Sequence, residues 1–309
     1  MQAYQGGAVF PAAGACGTPG RAWDDTHGMK VAVVGHVEWI TFARVDRVPT
    51  AGAIAHATET WWGAGGGGAV SAVQLAKLAG SSELFTALGG DGVGRRAREE
   101  LSASRVHVHG EERPDPTRRA LCLVDGDSER TITTLGPRLE ARGSDGLAWD
   151  HLDDAGAVYV TAGDEDALRR ARVARVMVVS TRHLAVLAAS GVRADAVVGS
   201  ALDVHERYDP EVLAHAPPGL VVLTEGAEGG SFVAFDGERR RFEPAPLLGP
   251  IIDTYGAGDS FHAGLTYGLG AGLEVTEALR LASRCGAAAL SGRGPTGGQL
   301  TSADLSARP

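Results

Sequence analysis

The stretch Asp253-Thr254-Tyr255-Gly256-Ala257-Gly258-Asp259-Ser260-Phe261 decides the reading of this chain. Pro250-Ile251-Ile252 before it reads as the end of an extended segment, and His262-Ala263-Gly264-Leu265-Thr266-Tyr267-Gly268-Leu269 after it reads as a helix. The nine residues are therefore a small-residue turn that opens into a helix N-terminus. Free backbone N–H groups and the positive end of the helix dipole make such a terminus an anion site. Gly256, Ala257 and Gly258 let a phosphate approach the backbone closely. Asp259 adds chemistry. A carboxylate beside a transferring phosphoryl group is repulsive unless it serves the incoming nucleophile, and a base that takes the proton from a substrate hydroxyl fits that place. A bare Gly-x-Gly-Asp is also an ordinary strand-to-helix turn, so the surrounding residues have to carry the distinction.

They do so over most of the chain. Asp253-Thr254-x-Gly256-Ala257-Gly258-Asp259-x-Phe261-x-Ala263-Gly264 resembles the C-terminal signature of the ribokinase/PfkB family of carbohydrate and nucleoside kinases. Met29-Lys30-Val31-Ala32-Val33-Val34-Gly35-His36 reads as a buried first strand ending in glycine. Gly63 to Gly80 is a glycine run leading into an apolar-periodic helix, where the family lays a Gly-Gly pair against the sugar. Leu88-Gly89-Gly90-Asp91-Gly92-Val93-Gly94 resembles the family's G-x-D-x-x-G turn. Thr224-Glu225-Gly226-Ala227-Glu228-Gly229 resembles its phosphate-contacting T-x-G-x-x-G segment. A lone glycine loop is weak evidence; four in the family's order are strong.

The resemblance implies ATP-dependent phosphorylation of a hydroxyl group on a sugar or sugar-like substrate. Nucleoside phosphorylation by the same fold, or a non-catalytic sugar- or nucleoside-binding relative, stays open. On this reading Asp259 is the base, and Gly256, Ala257 and Gly258 hold the developing charge. Glu38, Gly66, Gly67 and Val70 face the substrate, while Thr224, Gly226 and Gly229 line the nucleotide. Mg2+ bridges the phosphates. Asp253 holds the turn or, in members that use one, a monovalent cation such as K+. A dinucleotide-dependent oxidoreductase, suggested by Val33-Val34-Gly35, fails because no G-x-G-x-x-G follows the first strand.

Two departures from the family pattern bear on specificity and metal. The usual sugar-gripping Asp after the first strand falls at Ile40, leaving Glu38 as the nearest carboxylate, and the usual Asn of the glycine run falls at Val70. The expected result is a substrate site with an apolar wall of Ile40 and Val70, joined by Trp39, Trp61 and Trp62, whose faces stack on sugars or bases or else form lid core. The family's Asn-x-x-Glu, which places magnesium and its waters, falls on Ser200 and Asp203, with Glu206 close enough to substitute.

Composition sets outer bounds. At 309 residues, with 44% hydrophobic and 22% charged residues, the chain suits one large α/β domain. The 44 glycines fit many tight βα turns. A net charge of −9 without a basic stripe argues against a nucleic-acid binder. No apolar run approaches the roughly 20 residues that cross a bilayer. Cys16, Cys122 and Cys285 are too scattered for a disulfide framework or a zinc site, so a reducing cytoplasm is expected. No histidine shows ligand spacing with a cysteine or a second histidine; His107, His109, His205, His215 and His262 read as surface or core.

Residues 1–28 lack periodicity and a signal-like core and read as a flexible extension, with 29–309 as the kinase domain. Short apolar runs at 84–88, 157–161, 176–180, 196–198 and 220–224 alternate with helical stretches at 164–174, 183–190 and 274–291. That alternation predicts a ribokinase-like α/β fold: a mostly parallel central sheet with helices on both faces. Two segments break the rule, an extended-looking Ala43 to Trp62 and a hairpin over Arg118 to Leu135 turning at Asp125-Gly126-Asp127-Ser128. They predict a small β-sheet lid, from about 38–62 and 112–135. In the resembled family such a lid covers the sugar and often makes a homodimer contact, and it keeps water from the reacting phosphate.

Overall fold

The computed structural model describes residues 28–306; apart from Gly28, the expected N-terminal extension lies outside the described residues. In chain order the elements are β1 (Val31–Val34), β2 (Glu38–Arg44), β3 (Glu59–Gly65), α1 (Gly67–Ala79), β4 (Ser82–Gly89), α2 (Gly92–Ala103) and β5 (Val106–Arg113). These are followed by β6 (Arg119–Val124), β7 (Arg130–Leu135), β8 (Ala157–Val160), α3 (Glu165–Ala171), β9 (Met177–Ser180) and α4 (Leu184–Ser190). The last part holds β10 (Ala196–Ser200), β11 (Leu220–Thr224), β12 (Gly230–Val233), β13 (Arg239–Phe242), α5 (Ala257–Gly270), α6 (Val275–Ala289) and α7 (Ser302–Ser306).

The main sheet runs β13-β12-β11-β10-β9-β8-β1-β4-β5, parallel from β11 to β5, with β12 and β13 added antiparallel. β1 shows why it is parallel and covered on both sides. Its four apolar residues are all buried, Val31 and Val33 in the core beneath α1, α2, α5 and α6, Ala32 and Val34 in the core beneath α3 and α4. From β1 the chain goes outward to β4 and β5 on one side, then returns to build β8 to β11 on the other. The strand order thus reverses between β1 and β8, and crevices of this kind, beyond the carboxyl ends at a reversal, are where open α/β sheets bind ligands.

The small sheet runs β3-β2-β6-β7. The expected hairpin is β6 and β7, whose turn is held by the Asp125 carboxylate accepting from the N–H groups of Asp127 and Glu129, each at 3.0 Å. The other segment differs from expectation. Its strands are 38–44 and 59–65, with an irregular connection between, because β2 pairs β3 antiparallel and also β6 in parallel. Its core contains Ile40, Phe42, Ala120, Cys122, Val124 and, from the main domain, Val70 and Tyr255. Trp61 belongs to it as well, stacked on Phe42 at 5.2 Å, with the Arg293 guanidinium 4.1 Å from its ring centroid.

Candidate active site

The turn at 253–259 is built from its first residue. Asp253 is fully buried; its two carboxylate oxygens accept from Tyr255 N (2.8 Å) and Gly294 N (3.0 Å), which ties the turn to the loop at 294. Gly256 then takes φ 79°, and a Cβ there would lie 2.8 Å from Pro295 O, so both the left-handed backbone and the space require glycine. The chain enters α5 at Ala257, leaving the first-turn N–H groups of 257–259 outside the intrahelical ladder. A Cβ on Gly258 would meet nothing within 4 Å, so this corner of the helix start faces open space.

The glycine run brings a second helix start to the same place. A Cβ on Gly35, at the end of β1, would lie 2.6 Å from Gly68 Cα, so α1 begins directly against the first strand. Gly66 N donates to the Tyr255 hydroxyl at 2.9 Å, and Ser71 Oγ donates to Asp259 O at 3.2 Å; these two bonds lock the starts of α1 and α5 together. The result is convergence. The Cβ position of Gly67 is 3.1 Å from Asp259 Oδ1 and 3.1 Å from Thr161 Oγ1, and that of Gly66 is 3.1 Å from Glu38 Cγ and from His36 Cδ2. Asp259, Gly66, Gly67 and Glu38 therefore share one crevice with Thr161 and His36, at the strand-order reversal. Thr161 and His36 were missed from sequence, although Thr161 directly follows β8 and His36 lies two residues past β1, both at the carboxyl ends of parallel strands where ligands were expected.

The electrostatics of this crevice are specific. Burial, with Glu206 and Glu38 adding to it against Arg130 and Arg182, pushes the Asp259 carboxyl up to about 6. Burial also raises Glu38, opposed by Arg118, whose Nε lies 3.3 Å from it, and by Arg138. His36, 3.7 Å from Glu38, is pulled down to about 3 by burial and the neighbouring arginines, and stays neutral at physiological pH. Arg118, Arg138 and Arg182 are thus part of the site, and nothing in their local sequence marks them. Arg130, from the β6–β7 hairpin, donates to Thr254 O and lies 5.7 Å over the Tyr255 ring, so the small sheet is fastened to the 253–259 turn itself.

Two expected substrate contacts are corrected. Ile40 and Val70 are both 0% exposed within the lid core, and neither has surface to offer a ligand. Glu38 and Ile40, two residues apart, share one face of β2; Glu38 at the strand start borders the crevice beside Gly66, while Ile40 lies further along, beneath the lid. Val70 packs under the 253–259 turn, its Cγ1 3.1 Å from the Cβ position of Gly256.

The expected metal ligands are also otherwise engaged. Glu206 Oε1 accepts from Arg182 Nε (2.7 Å) and Oε2 from Ser200 N (2.7 Å); Asp203 Oδ2 accepts from Arg182 and Oδ1 from His205 N (2.8 Å). All four carboxylate oxygens are taken, two of them by a guanidinium that does not deprotonate. As arranged, this pair does not fit a directly coordinated Mg2+.

Thr224 ends β11 in register with Ser200 of β10, at the same sheet edge. Gly226 and Gly229 have φ 62° and 74° around a single 3-10 turn. The Cβ position of Gly229 lies 2.2 Å from Phe242 O, so packing alone demands glycine there, whereas that of Gly226 meets only Leu202, at 3.5 Å. Beyond the Phe242–Pro244 backbone that Gly229 touches lies a cavity of about 990 Å3, lined by Phe242, Pro244, Leu248, Arg280 and Ser283 among others. Its size and its mostly apolar walls suit a nucleotide base.

Comparison with known proteins identifies the family and the fold. The family model described as pfkB family carbohydrate kinase matches residues 29–189 and 182–302. The chain is 29% identical over 280 residues to a fructokinase of Salmonella typhimurium, covering 74% of this chain and 86% of that protein. It is 28% identical over 293 residues to an ATP-dependent ribose-1-phosphate kinase of Halopiger xanaduensis, covering 84% and 91%. The crystal structure of ribokinase from Thermotoga maritima superposes with a TM-score of 0.72 at 18% identity, covering 90% of this chain and 98% of that one.

Proposed function

The chain belongs to the PfkB family of carbohydrate kinases, and from that premise we propose that it transfers the γ-phosphoryl group of ATP, supplied as its Mg2+ complex, to a hydroxyl of a small sugar. The observation that carries the proposal is the meeting of Asp259, Gly67, Thr161 and Glu38 in one crevice at the two helix starts. The acceptor hydroxyl lies against Asp259, which takes its proton. A carboxyl raised to about 6 is still ionised at pH 7 and is a stronger base than an ordinary aspartate. The free N–H groups of Gly256, Ala257 and Gly258 face the charge that develops on the transferring group. Glu38, held by Arg118, accepts from a substrate hydroxyl, and the backbone of Gly66 and Gly67 forms the floor. The nucleotide runs past Thr224 and Gly226, with its base in the cavity beside Pro244. Asp203 and Glu206, whose four oxygens already have donors, would reach a Mg2+ carried by the nucleotide only through water. K+ is assigned no residue.

A second reading follows from Arg118 and Arg138, which both act on Glu38 and His36: an acceptor that already carries a phosphate, as in the ribose-1-phosphate kinase relative. The complete catalytic turn speaks against a non-catalytic sensor, and the site does not separate sugars from nucleosides. ADP release measured with ATP and a panel of ketoses, aldoses, ribose 1-phosphate and nucleosides decides among them. Turnover of a sugar that vanishes in Asp259→Asn supports the proposal, and failure of the whole panel defeats it. We place the enzyme in the cytoplasm, where ATP is made; among the described residues no helix is long and apolar enough to cross a membrane. A homodimer through the lid is part of the proposal, supported by Trp62 and Leu121, which share a row across the outer face of the small sheet and are 59% and 37% exposed.

A further inference from the structure

On the face of the main sheet opposite α5, three residues from distant parts of the chain meet. Glu83 is the second residue of β4, His109 lies on β5, and His151 lies on the 3-10 turn Trp149–Leu152. His109 Nε2 is 2.5 Å from Glu83 Oε2, His151 Nδ1 is 3.3 Å from the same oxygen, and the three ligand atoms all lie within 4.8 Å of one another. We propose that Glu83, His109 and His151 form a binding site for a zinc-class divalent cation.

The chemistry of the donor set chooses the ion. Two imidazoles and one carboxylate suit Zn2+ and its first-row neighbours, whereas Mg2+ and Ca2+ prefer oxygen alone. Tetrahedral bonds of about 2.0–2.2 Å place ligand atoms about 3.3–3.6 Å apart, within the range of separations found here. The fourth position faces solvent, since His151 is half-exposed while Glu83 and His109 are mostly covered. His107, in register with Glu83 and two residues from His109, adds a further imidazole on the same face.

The site is also held in place. Phe85, fully buried, stacks on the His109 ring at 4.7 Å and on Trp149 at 4.8 Å. One aromatic stack thus fixes His109 directly and, through Trp149, the turn that carries His151. Trp149 is itself pinned, donating from Nε1 to Asp145 O at 3.2 Å. An ion here ties β5, the sheet's edge strand, to the segment that follows the lid. Because the ligands sit on the face away from α5, with Glu83 at the amino end of its strand, the ion acts on stability and takes no part in phosphoryl transfer.

The test uses full-length protein without a polyhistidine tag, stripped with EDTA and titrated with zinc chloride by calorimetry, with the melting temperature read in parallel. One equivalent is expected to bind and to raise the melting temperature. Glu83→Gln and His109→Gln should each weaken binding at least about 100-fold, while His215→Gln binds normally and kcat/KM stays unchanged in all three. If His109→Gln does not fold, the half-exposed His151→Gln carries the test, with the same direction of effect. No binding, or zinc affinity that is undiminished in Glu83→Gln and His151→Gln, overturns the site.

Discussion

Asp259 and the pair Asp203–Glu206 stand at the same edge of the sheet, and Glu206 acts on the charge of Asp259, yet their surroundings differ in kind. Around Asp259 the neighbours are glycines, a threonine and two helix starts, so its carboxyl is desolvated without being satisfied and its proton affinity rises. Around Asp203 and Glu206 every oxygen has a donor, and Arg182 cancels much of their charge. The first carboxylate is left with work to do; the other two are committed. The difference comes from what the backbone allows to approach, not from the acidic residues themselves, and it can be broken or sharpened at several points.

The largest expected effect is at Asp259. Asp259→Asn should lower kcat by roughly 100- to 10,000-fold with ATP binding retained. Near-normal turnover would end the assignment of Asp259 as base. The same substitution should stabilise the fold. A carboxyl raised from 3.8 to about 6 favours the folded state only while protonated, so its ionisation works against folding at pH 7. Removing that charge should add roughly 1–3 kcal/mol, the lower part allowing for the group's partial exposure. Denaturant melts of wild type and variant at pH 7 and pH 4 check this, since the gain should shrink at the lower pH.

Next comes Gly258→Val, which puts a branched side chain into the open corner where the phosphate is placed. Activity should fall by roughly 10- to 100-fold with an unchanged melting temperature, on the order of 1.4–2.7 kcal/mol of lost transition-state stabilisation. An unchanged kcat/KM would move the phosphate elsewhere.

A smaller effect probes the link between the two acidic sites. For wild type, activity should rise with pH through about 6 and level off above it, because the base must be ionised. Arg182 holds the Asp259 carboxyl down and also masks Glu206, which pushes it up. Arg182→Gln removes both influences, so the acid limb should move to higher pH by roughly half to one unit. A limb that stays in place would mean that Arg182 does not reach the base. If Asp203 and Glu206 take up Mg2+ directly once freed, the variant will also show a changed dependence of kcat on free Mg2+.

What was legible in the sequence follows the range of the interactions involved. The turn at 253–259 could be read as a turn into a helix because its requirements are local: a left-handed glycine, a small-residue approach and a helix start, all within Asp253 to Asp259. The β6–β7 hairpin was readable for the same reason, since Asp125 closes its own turn. The division of the extended-looking 43–62 segment into β2, an irregular connection and β3 was not readable, because β2 is held by pairing with β3 and with β6, the latter some eighty residues on. The capture of Asp203 and Glu206 by Arg182 and the meeting of Glu83 with His109 and His151 are contacts between distant segments. Spacing along one strand carries no trace of either.

The smallest expected effect on catalysis, and the one that separates wall from core, is at Val70. If Val70 lined the substrate, shortening it would change KM and the preference among sugars, since one lost methylene in a pocket is worth about 10- to 200-fold in discrimination. Its side chain instead fills space between Ile40, Tyr255 and the back of Gly256, with no exposed surface. Val70→Ala should therefore cost roughly 1–3 kcal/mol of stability through the cavity it leaves, while KM for the preferred sugar and its rank in the panel stay as in wild type. Glu38→Gln, on the lid strand β2, is the counterpart. It keeps the shape, loses the carboxylate and should raise KM with little change in melting temperature, because Glu38 is buried at a cost its ion pair with Arg118 only partly offsets. A Val70 variant that shifts sugar preference as strongly as Glu38→Gln would return the apolar wall to the substrate site.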